Sequence, residues 1–195
     1  MSSDDIQPTD PRVERSRRLI CEAALDELAE VGYGAVNIES IAKRAGVGKA
    51  TIYRHWEGKL GLLASALESI STEVQVSAVG TVRDRTIELL TWLANYLSDG
   101  SSASACMPAM VSAAQYDDSV REFHHRFSAE RRAILIDVLD DGKRAGEISA
   151  DADTQMLAEM LVGPLFYRRL MTSESFPAAD VDKIVDAAFA SVRTA

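Results

Sequence analysis

The sequence predicts an all-α fold of about nine helices, and three features of its pattern support that class. Apolar residues recur three and four positions apart along most of the chain, which is the spacing of one helix face. No segment alternates convincingly between apolar and polar residues, as a half-buried strand would. Glycine, proline and serine-rich breaks divide the apolar stretches into helix-sized pieces.

The first elements are a polar tail and two helices. Residues 1–11, which carry prolines, aspartates and small polar side chains, are predicted to be a disordered tail. A first helix begins at Arg12 and ends at Gly32, a residue suited to a C-cap. A second helix follows Asn37, a good N-cap residue, and stops at Gly46.

The next two helices are separated from the second by a tight Gly-Val-Gly connection. A short third helix runs from Lys49 or Ala50 to about Trp56, and a fourth extends from near Gly58 through Val74. Two helices joined by so short a glycine turn make a helix-turn-helix. The third helix is too short to be stable alone, so its neighbours must hold it in place.

The rest of the chain predicts five further helical stretches, separated by polar or glycine-containing breaks. The clearest loop is the polar run SDGSS at residues 98–102. In chain order the stretches cover residues 82–97, 106–114, 117 or 118 to 142–146, 152–171 with an interruption at Gly163-Pro164, and 181–192.

Basic residues are concentrated in one short segment of an acidic chain, whose formal net charge is −9. Residues 38–60 hold five basic and two acidic side chains, a local charge of +3, whereas residues 61–195 hold twelve basic and twenty acidic ones. Attraction to phosphate acts over roughly a Debye length, about 10 Å at 0.1 M salt, so local charge outweighs the total. We therefore expect a basic module joined to an acidic body that DNA repels.

The third helix presents side chains that suit DNA. Lys49 and Arg54 can neutralise phosphate or read guanine edges, and the hydroxyls of Thr51 and Tyr53 can bond phosphate oxygens. A solvated basic face on an ordinary helix pair is the alternative. The aromatic-basic run TIYRHW favours binding, because solvent-facing helices rarely carry Tyr, His and Trp together.

The segment AVNIESIAKRAGVGKATIYRHWEGKLGLL closely resembles the N-terminal signature of TetR/AcrR-type transcriptional repressors, over roughly residues 12–65. The resemblance implies a DNA-binding domain at residues 12–58, whose third helix enters the major groove, and an effector-binding and dimerisation domain at residues 59–195. Trp56, where the family usually carries a smaller ring, is expected to pack. The implied DNA-binding residues are Asn37, Lys43, Arg44, Lys49, Ala50, Thr51, Tyr53, Arg54, His55 and Lys59.

The resemblance also implies a homodimer paired through the last two helices. The terminal helix supports this independently, since its apolar residues form one continuous stripe, and Met156 and Met160 lie in a companion stripe. The alternative is that both stripes complete the core of one protomer. The predicted interface residues are Leu157, Leu161, Leu165, Val181, Ile184, Val185, Ala188, Phe189 and Val192.

Family members typically enclose a small-molecule effector among their C-terminal helices. Met and aromatic side chains suit such a site, although they are found more often in a core. The candidates are Trp92, Tyr96, Met107, Met110, Phe123, His124, Phe127 and Phe166. Adjacent histidines diverge by about 100° on one helix, so the His124-His125 pair is not expected to chelate one metal.

Other functional classes lack support. The sequence has no apolar run long enough for a membrane span and no signal peptide, which favours a cytoplasmic protein. Cys21 and Cys106 are expected to be buried thiols. Nucleotide-binding, zinc-protease and serine-hydrolase motifs are missing, so neither catalysis nor a cofactor is predicted. The sequence predicts a ligand-responsive repressor that binds a pseudo-palindromic operator in double-stranded DNA; the alternative is a helical ligand-binding or adaptor protein without specific DNA binding.

Overall fold

The computed structural model describes residues 11–71 and 77–192, and its regular structure within them is helical throughout, with nine α-helices. The all-α prediction is therefore confirmed. The chain divides into two compact units, residues Met1–Ile70 and Ser71–Ala195. The predicted tail, apart from Pro11, and the end of the fourth predicted helix near Val74 lie outside the described residues. No helix of the described part is both long and apolar enough to cross a membrane.

Four helices belong to the N-terminal unit. They are α1 (Pro11–Ala35), α2 (Ile38–Ala45), α3 (Lys49–His55) and α4 (Gly58–Ser71). Helix α1 continues to Ala35 across Gly32, whose φ of 70° and ψ of 163° break the helical conformation at the predicted end. The unit's core consists of fully buried aliphatic side chains, and its largest members are Ile20, Leu28, Ile41, Ile52, Leu62 and Leu63.

Both ends of α2 follow from its sequence. The Asn37 side-chain oxygen accepts a hydrogen bond from the Ser40 N–H at 2.9 Å, which confirms the predicted N-cap. At the other end Gly46 is left-handed, with φ 68°, and the next N–H, that of Val47, donates to the Ala42 carbonyl at 3.0 Å. A side chain at Gly46 would oppose this backbone, so glycine sets the bend between α2 and α3.

The C-terminal unit packs its helices around one apolar cluster. Its elements are α5 (Val82–Ser98), α6 (Ser102–Ala113), α7 (Asp118–Arg144), α8 (Thr154–Tyr167), a π-helical turn (Arg168–Thr172), a 3-10 turn (Ala178–Asp180) and α9 (Val181–Ala190). Helices α5, α7, α8 and α9 supply the buried side chains of this cluster, together with Ile148 from the segment between α7 and α8. Polar side chains cap the starts of α5, α6, α7 and α8, and Thr81 and Asp84 form a full capping box at α5.

One predicted helix start and one predicted interruption in this unit were wrong. Helix α6 begins at Ser102, four residues before the predicted start, because the Ser101 side chain caps it by accepting from the Ser104 N–H. Helix α8 continues through Gly163-Pro164, where an interruption was predicted, since a proline removes only one hydrogen bond of the ladder and flanking packing can hold the rest. The change to π-helical geometry comes later, at Arg168.

Candidate nucleic-acid interface

Helix α3 buries one side chain in the core of the N-terminal unit and exposes most of the others. Ile52 is fully buried, while Lys49, Ala50, Tyr53 and Arg54 are exposed. Tyr53 is 60% exposed, so its ring and hydroxyl are accessible to a ligand. Thr51 and His55 are half-buried at the edges of this face. These exposed and edge residues are called the α3 face below.

Packing of α3 depends on Trp56, which forms its C-cap. The indole is buried, as predicted, and the backbone N–H of Trp56 donates to the Ile52 carbonyl at 3.0 Å. The Arg17 guanidinium lies 5.5 Å from the indole centroid. The His55 and Trp56 rings pack edge to face, with their centroids 5.6 Å apart. Because it packs on Trp56, His55 offers only part of its ring to a ligand.

Arg44 is committed to holding α2 against α1. Its Nη2 lies 3.3 Å from Glu27 Oε2 and 2.5 Å from Glu30 Oε2. The hydrogen bond from Arg44 to Glu30 is the main cause that raises the pKa of Arg44. Ser40 also donates to Glu27, which is buried. We call Glu27, Glu30, Ser40 and Arg44 the Glu27 cluster. Within it the guanidinium of Arg44, a predicted DNA contact, already pairs with two carboxylates of α1.

Glu27 is a positioning residue that the sequence pattern alone did not reveal. It lies seven positions after Ile20 and one before Leu28, on the apolar face of α1. A carboxylate on such a face requires hydrogen-bonding partners, because burial of an unpaired charge is costly. That pattern, an acid at a core position facing a basic helix, is the signal that could have found it.

Lys59 is also engaged within the N-terminal unit. Its Nζ donates to the Tyr33 carbonyl at 2.9 Å and lies 4.2 Å from the centroid of the Tyr33 ring. These contacts tie the start of α4 to the end of α1. An ammonium group has three donors, so the carbonyl leaves two for a phosphate.

The remaining predicted contacts lie at the surface. Lys43 is exposed, and Lys49 Nζ is 3.2 Å from Glu39 Oε2 in an exposed ion pair that a phosphate can displace. Asn37 is exposed as well, and the cap of α2 uses only its side-chain oxygen. Its amide nitrogen is a suitable phosphate donor.

The predicted effector residues occupy four helices of the C-terminal unit and fall into two aromatic pairs and several single side chains. Trp92 stacks on Tyr96 with their ring centroids 5.4 Å apart, and the ring centroids of Phe123 and Phe127 are 5.6 Å apart. Met110 and Phe123 are buried, whereas Tyr96, Met107 and Phe166 are half-buried against the apolar cluster. Burial raises the pKa of Tyr96 to about 12. His124 is half-buried, and burial, followed by repulsion from His125, lowers its pKa.

The predicted dimer residues lie mostly inside the protomer. Six of them are buried in the core of the single chain: Leu157, Leu161, Leu165, Val181, Val185 and Ala188. This corrects their assignment to an interface, because side chains covered by their own protomer cannot contact another. Ile184, Phe189 and Val192 are half-buried. On α8, Met156 and Met160 point outward, with 60% and 47% exposure.

Comparison with known proteins agrees with this geometry. Residues 20–66 match the family model for bacterial regulatory proteins of the TetR family, and residues 77–188 match that for the tetracyclin repressor-like C-terminal domain. An HTH-type transcriptional regulator of Bacillus subtilis, YdeS, is 31% identical over 94% of this chain and 92% of its own length. The DNA-binding transcriptional repressor TetR of Mycobacteroides abscessus is 25% identical over 90% of this chain and 92% of its own.

Among solved structures, the transcriptional regulator FadR from Bacillus subtilis, determined in complex with stearoyl-CoA, shares the fold. Its TM-score is 0.71 at 19% identity, covering 88% of this chain and 96% of that one. The two family models together account for most of the chain, from the helix-turn-helix to α9. The chain belongs to the TetR family of bacterial regulatory proteins and is a helix-turn-helix transcriptional regulator, not a member of an enzyme family.

Proposed function

We propose that this chain is a ligand-responsive repressor: a homodimer binds a pseudo-palindromic operator in double-stranded DNA, and a small-molecule effector releases it. The observation that carries the proposal is the α3 face, which exposes Tyr53 and Arg54 while Ile52 fixes the helix beneath them. We expect the repressor to act in the cytoplasm, where bacterial DNA lies.

On DNA, the roles within the α3 face follow from the chemistry of its side chains. Arg54 is the side chain best suited to pair with the O6 and N7 atoms of guanine in the major groove. Lys49, Thr51 and Tyr53 have the charge or hydroxyl groups for phosphate. Lys59 adds a phosphate contact beside α3 with the two donors that Tyr33 leaves available.

The division of labour follows the family. Residues 12–58 form the DNA-binding domain in this proposal, and residues 59–195 bind the effector and the second protomer. The exposed face of α8, which includes Met156 and Met160, forms the contact between copies, with the half-buried Ile184 and Phe189 at its margin. Two recognition helices would then lie about 34–36 Å apart, one turn of DNA.

One comparison supports repression and another supports binding of an effector. The relative from Mycobacteroides abscessus is a DNA-binding repressor by name, and the FadR structure contains stearoyl-CoA. In this chain, binding among α5 to α8 need only favour the dimer form whose DNA-binding domains are wrongly spaced. A coupling of about 1–3 kcal/mol changes operator affinity roughly 5- to 150-fold.

The test is selection of bound sequences from random duplex DNA, followed by affinity measurements at several salt concentrations. We expect one pseudo-palindromic site to bind far better than random duplex. Arg54→Ala should lose about 1–3 kcal/mol of discrimination at one base pair of each half-site. Lys59→Gln keeps a donor for the Tyr33 carbonyl, and it should weaken all duplexes alike and lower the salt slope by about 0.9 for each phosphate that it no longer neutralises.

Arg144→Ala is the matched control, because it removes an exposed arginine of the C-terminal unit and should change neither quantity. Equal affinity of the wild-type protein for all duplexes would support the adaptor alternative over the repressor. A ligand that raises the melting temperature but leaves operator affinity unchanged would show that it is not the effector.

A further inference from the structure

Helices α2 and α3 place an acid and a base side by side on the exposed surface of the N-terminal unit. Lys49 Nζ donates to Glu39 Oε2 at 3.2 Å, while the Lys49 side chain is 55% exposed and the Glu39 side chain 77%. Lys49 is the first residue of α3, and Glu39 lies in the first turn of α2. The pair therefore joins the first turns of the two helices, and both charged groups remain accessible to a ligand.

Lys49 occupies the end of α3 with which a helix-turn-helix reads bases. In this motif the recognition helix lies in the major groove, and the residues at its N-terminal end contact base edges. Tyr53 and Arg54 follow about one turn later on the α3 face. Because the ion pair holds Glu39 beside Lys49, the carboxylate enters the same groove although it belongs to α2.

A carboxylate at this position is unfavourable on DNA unless it bonds a base. Residues 38–60 contain two acids, Glu39 and Glu57, among five basic side chains. Phosphate oxygens are negative and only accept hydrogen bonds, so an ionised carboxylate beside them is repelled and finds no donor. If Lys49 bound a phosphate while it is paired, Glu39 would lie next to that phosphate. The amino group of cytosine, by contrast, is a donor in the major groove that a carboxylate can accept from.

The separation of the two charged groups matches one G·C base pair. In the major groove guanine presents N7 and O6 as acceptors, and cytosine presents its N4 amino group as a donor. A Watson–Crick hydrogen bond joins O6 and N4, so these atoms are about 2.9 Å apart. Lys49 Nζ and Glu39 Oε2 are 3.2 Å apart, which allows the ammonium to donate to guanine while the carboxylate accepts from the paired cytosine. The three donors of an ammonium group suffice for Glu39, O6 and N7 together.

We propose that Glu39 and Lys49 together read one G·C pair in each half-site, with Lys49 on guanine and Glu39 on cytosine. This inference rests on the proposed function. It makes Glu39 a specificity-determining residue, and it directs Lys49 to a base edge rather than to phosphate.

The order of donor and acceptor ranks the four possible base pairs at this position. A C·G pair sets Lys49 against the N4 donor and Glu39 against the O6 acceptor, so it is rejected most strongly. A T·A pair, with thymine at Lys49, keeps an acceptor and a donor in the correct order. Thymine offers only O4 to the ammonium and places its methyl group beside it, so T·A ranks second to G·C.

The test uses the full-length protein and the operator identified by selection. Each base pair is replaced by the three alternatives in both half-sites, and the dissociation constants are measured at one salt concentration. At one position the wild-type protein should prefer G·C over C·G by about tenfold or more, with T·A second. Glu39→Ala and Lys49→Ala should each reduce this preference by about fivefold or more and leave the preferences at other positions unchanged.

Glu57→Ala is the matched control, because Glu57 is exposed and is the other acid of residues 38–60. It should change the affinities for all duplexes by the same factor. If Glu39→Ala does only that, Glu39 merely repels phosphate and the proposal is overturned. It is also overturned if Lys49→Ala lowers the salt slope by about 0.9 without changing any base preference, since Lys49 is then a phosphate contact.

Exchange of the two side chains gives a test that a loss of stability cannot imitate. Glu39→Lys combined with Lys49→Glu keeps the net charge and an opposite-charge pair but reverses donor and acceptor. Its preference at this position should change from G·C to C·G. A folded double variant that still prefers G·C would overturn the proposal, and the single variants decide the matter if the exchange does not fold.

The same measurements separate this inference from the proposed function. If the wild-type protein binds all duplexes alike, the repressor proposal itself fails. If it binds one operator strongly while neither Glu39→Ala nor Lys49→Ala alters a base-pair preference, the repressor proposal stands and base reading by this pair is refuted.

Discussion

The close contact between α5 and α7 at Gly142 allows the stability of a Gly142→Ala variant to be predicted. This glycine is buried near the end of α7, and a Cβ added to it would lie 2.6 Å from Val82 Cγ2 and 2.8 Å from Val82 Cβ. Val82 is the first residue of α5 and is itself buried. Rotation of the Val82 side chain can move its methyl groups but not its Cβ, so the two helices must separate to admit an alanine.

The magnitude is the difference between two opposing effects. Alanine is favoured over glycine in a helix interior by about 1 kcal/mol. Overpacking a well-packed contact costs about 1–3 kcal/mol, and the upper half of that range applies here because one clashing atom is fixed to the backbone. Gly142→Ala should therefore lower the free energy of unfolding by about 1–2 kcal/mol. The salt bridge from Arg85 to Asp141, 2.9 Å long at the same junction, would be disturbed with it.

The assay is urea unfolding followed by circular dichroism, with Gly61→Ala as the matched control. Gly61 is a helical glycine of α4, and an added Cβ there meets nothing within 4 Å. The control should be stabilised by about 0.5–1 kcal/mol, through propensity alone. If Gly142→Ala is stabilised as much as Gly61→Ala, the packing argument for the α5–α7 contact is refuted. Val82→Ala removes two of the three clashing atoms. The effects of Gly142→Ala and Val82→Ala on the free energy of unfolding should therefore be non-additive by at least about 0.5 kcal/mol.

Two further predictions concern the DNA-binding unit and the dimer. Arg44→Ala should lower the melting temperature, because it breaks the Glu27 cluster. It should leave the salt slope of operator binding unchanged. A slope reduced by about 0.9 would instead identify Arg44 as a phosphate contact. Met156→Glu combined with Met160→Glu places like charges on the proposed contact, so the double variant should shift from dimer toward monomer in sedimentation. The control Val79→Glu, at another exposed residue, should not shift. If the double variant remains a dimer, this face of α8 is not the contact.

Local chemistry explains why the helices of the N-terminal unit were predictable. An N-cap asparagine at position 37, a left-handed glycine at 46 and a short apolar stripe each act within a few residues, so their effects can be derived from the sequence. Gly163-Pro164 was misjudged for the opposite reason. A proline disfavours a helix locally, but the packing of Leu161 and Leu165 in the core of the C-terminal unit lies on both sides of it and outweighs that preference.

The direction in which an apolar stripe points was not predictable. The stripe of α9 has the same spacing whether its residues face the protomer or a second copy, because both surroundings select apolar side chains. Only the positions of α5, α7 and α8 show that Val181, Val185 and Ala188 are covered within one chain. The same reasoning applies to Arg44, which is a basic surface residue in the sequence and an ion-paired brace once Glu27 is placed beside it.

Bracing reduces the charge that the module can offer to DNA, and this strengthens the case for a dimer. Of the five basic residues at positions 38–60, Arg44 is held by two carboxylates and Lys59 shares its ammonium group with a carbonyl. Affinity for phosphate backbone rises with each phosphate neutralised, so a module that diverts cations to its own structure derives less affinity from the backbone. One copy would then bind weakly and be repelled through its acidic unit. Two copies that read matching half-sites recover the affinity and require the correct sequence at both, which is the behaviour a repressor needs.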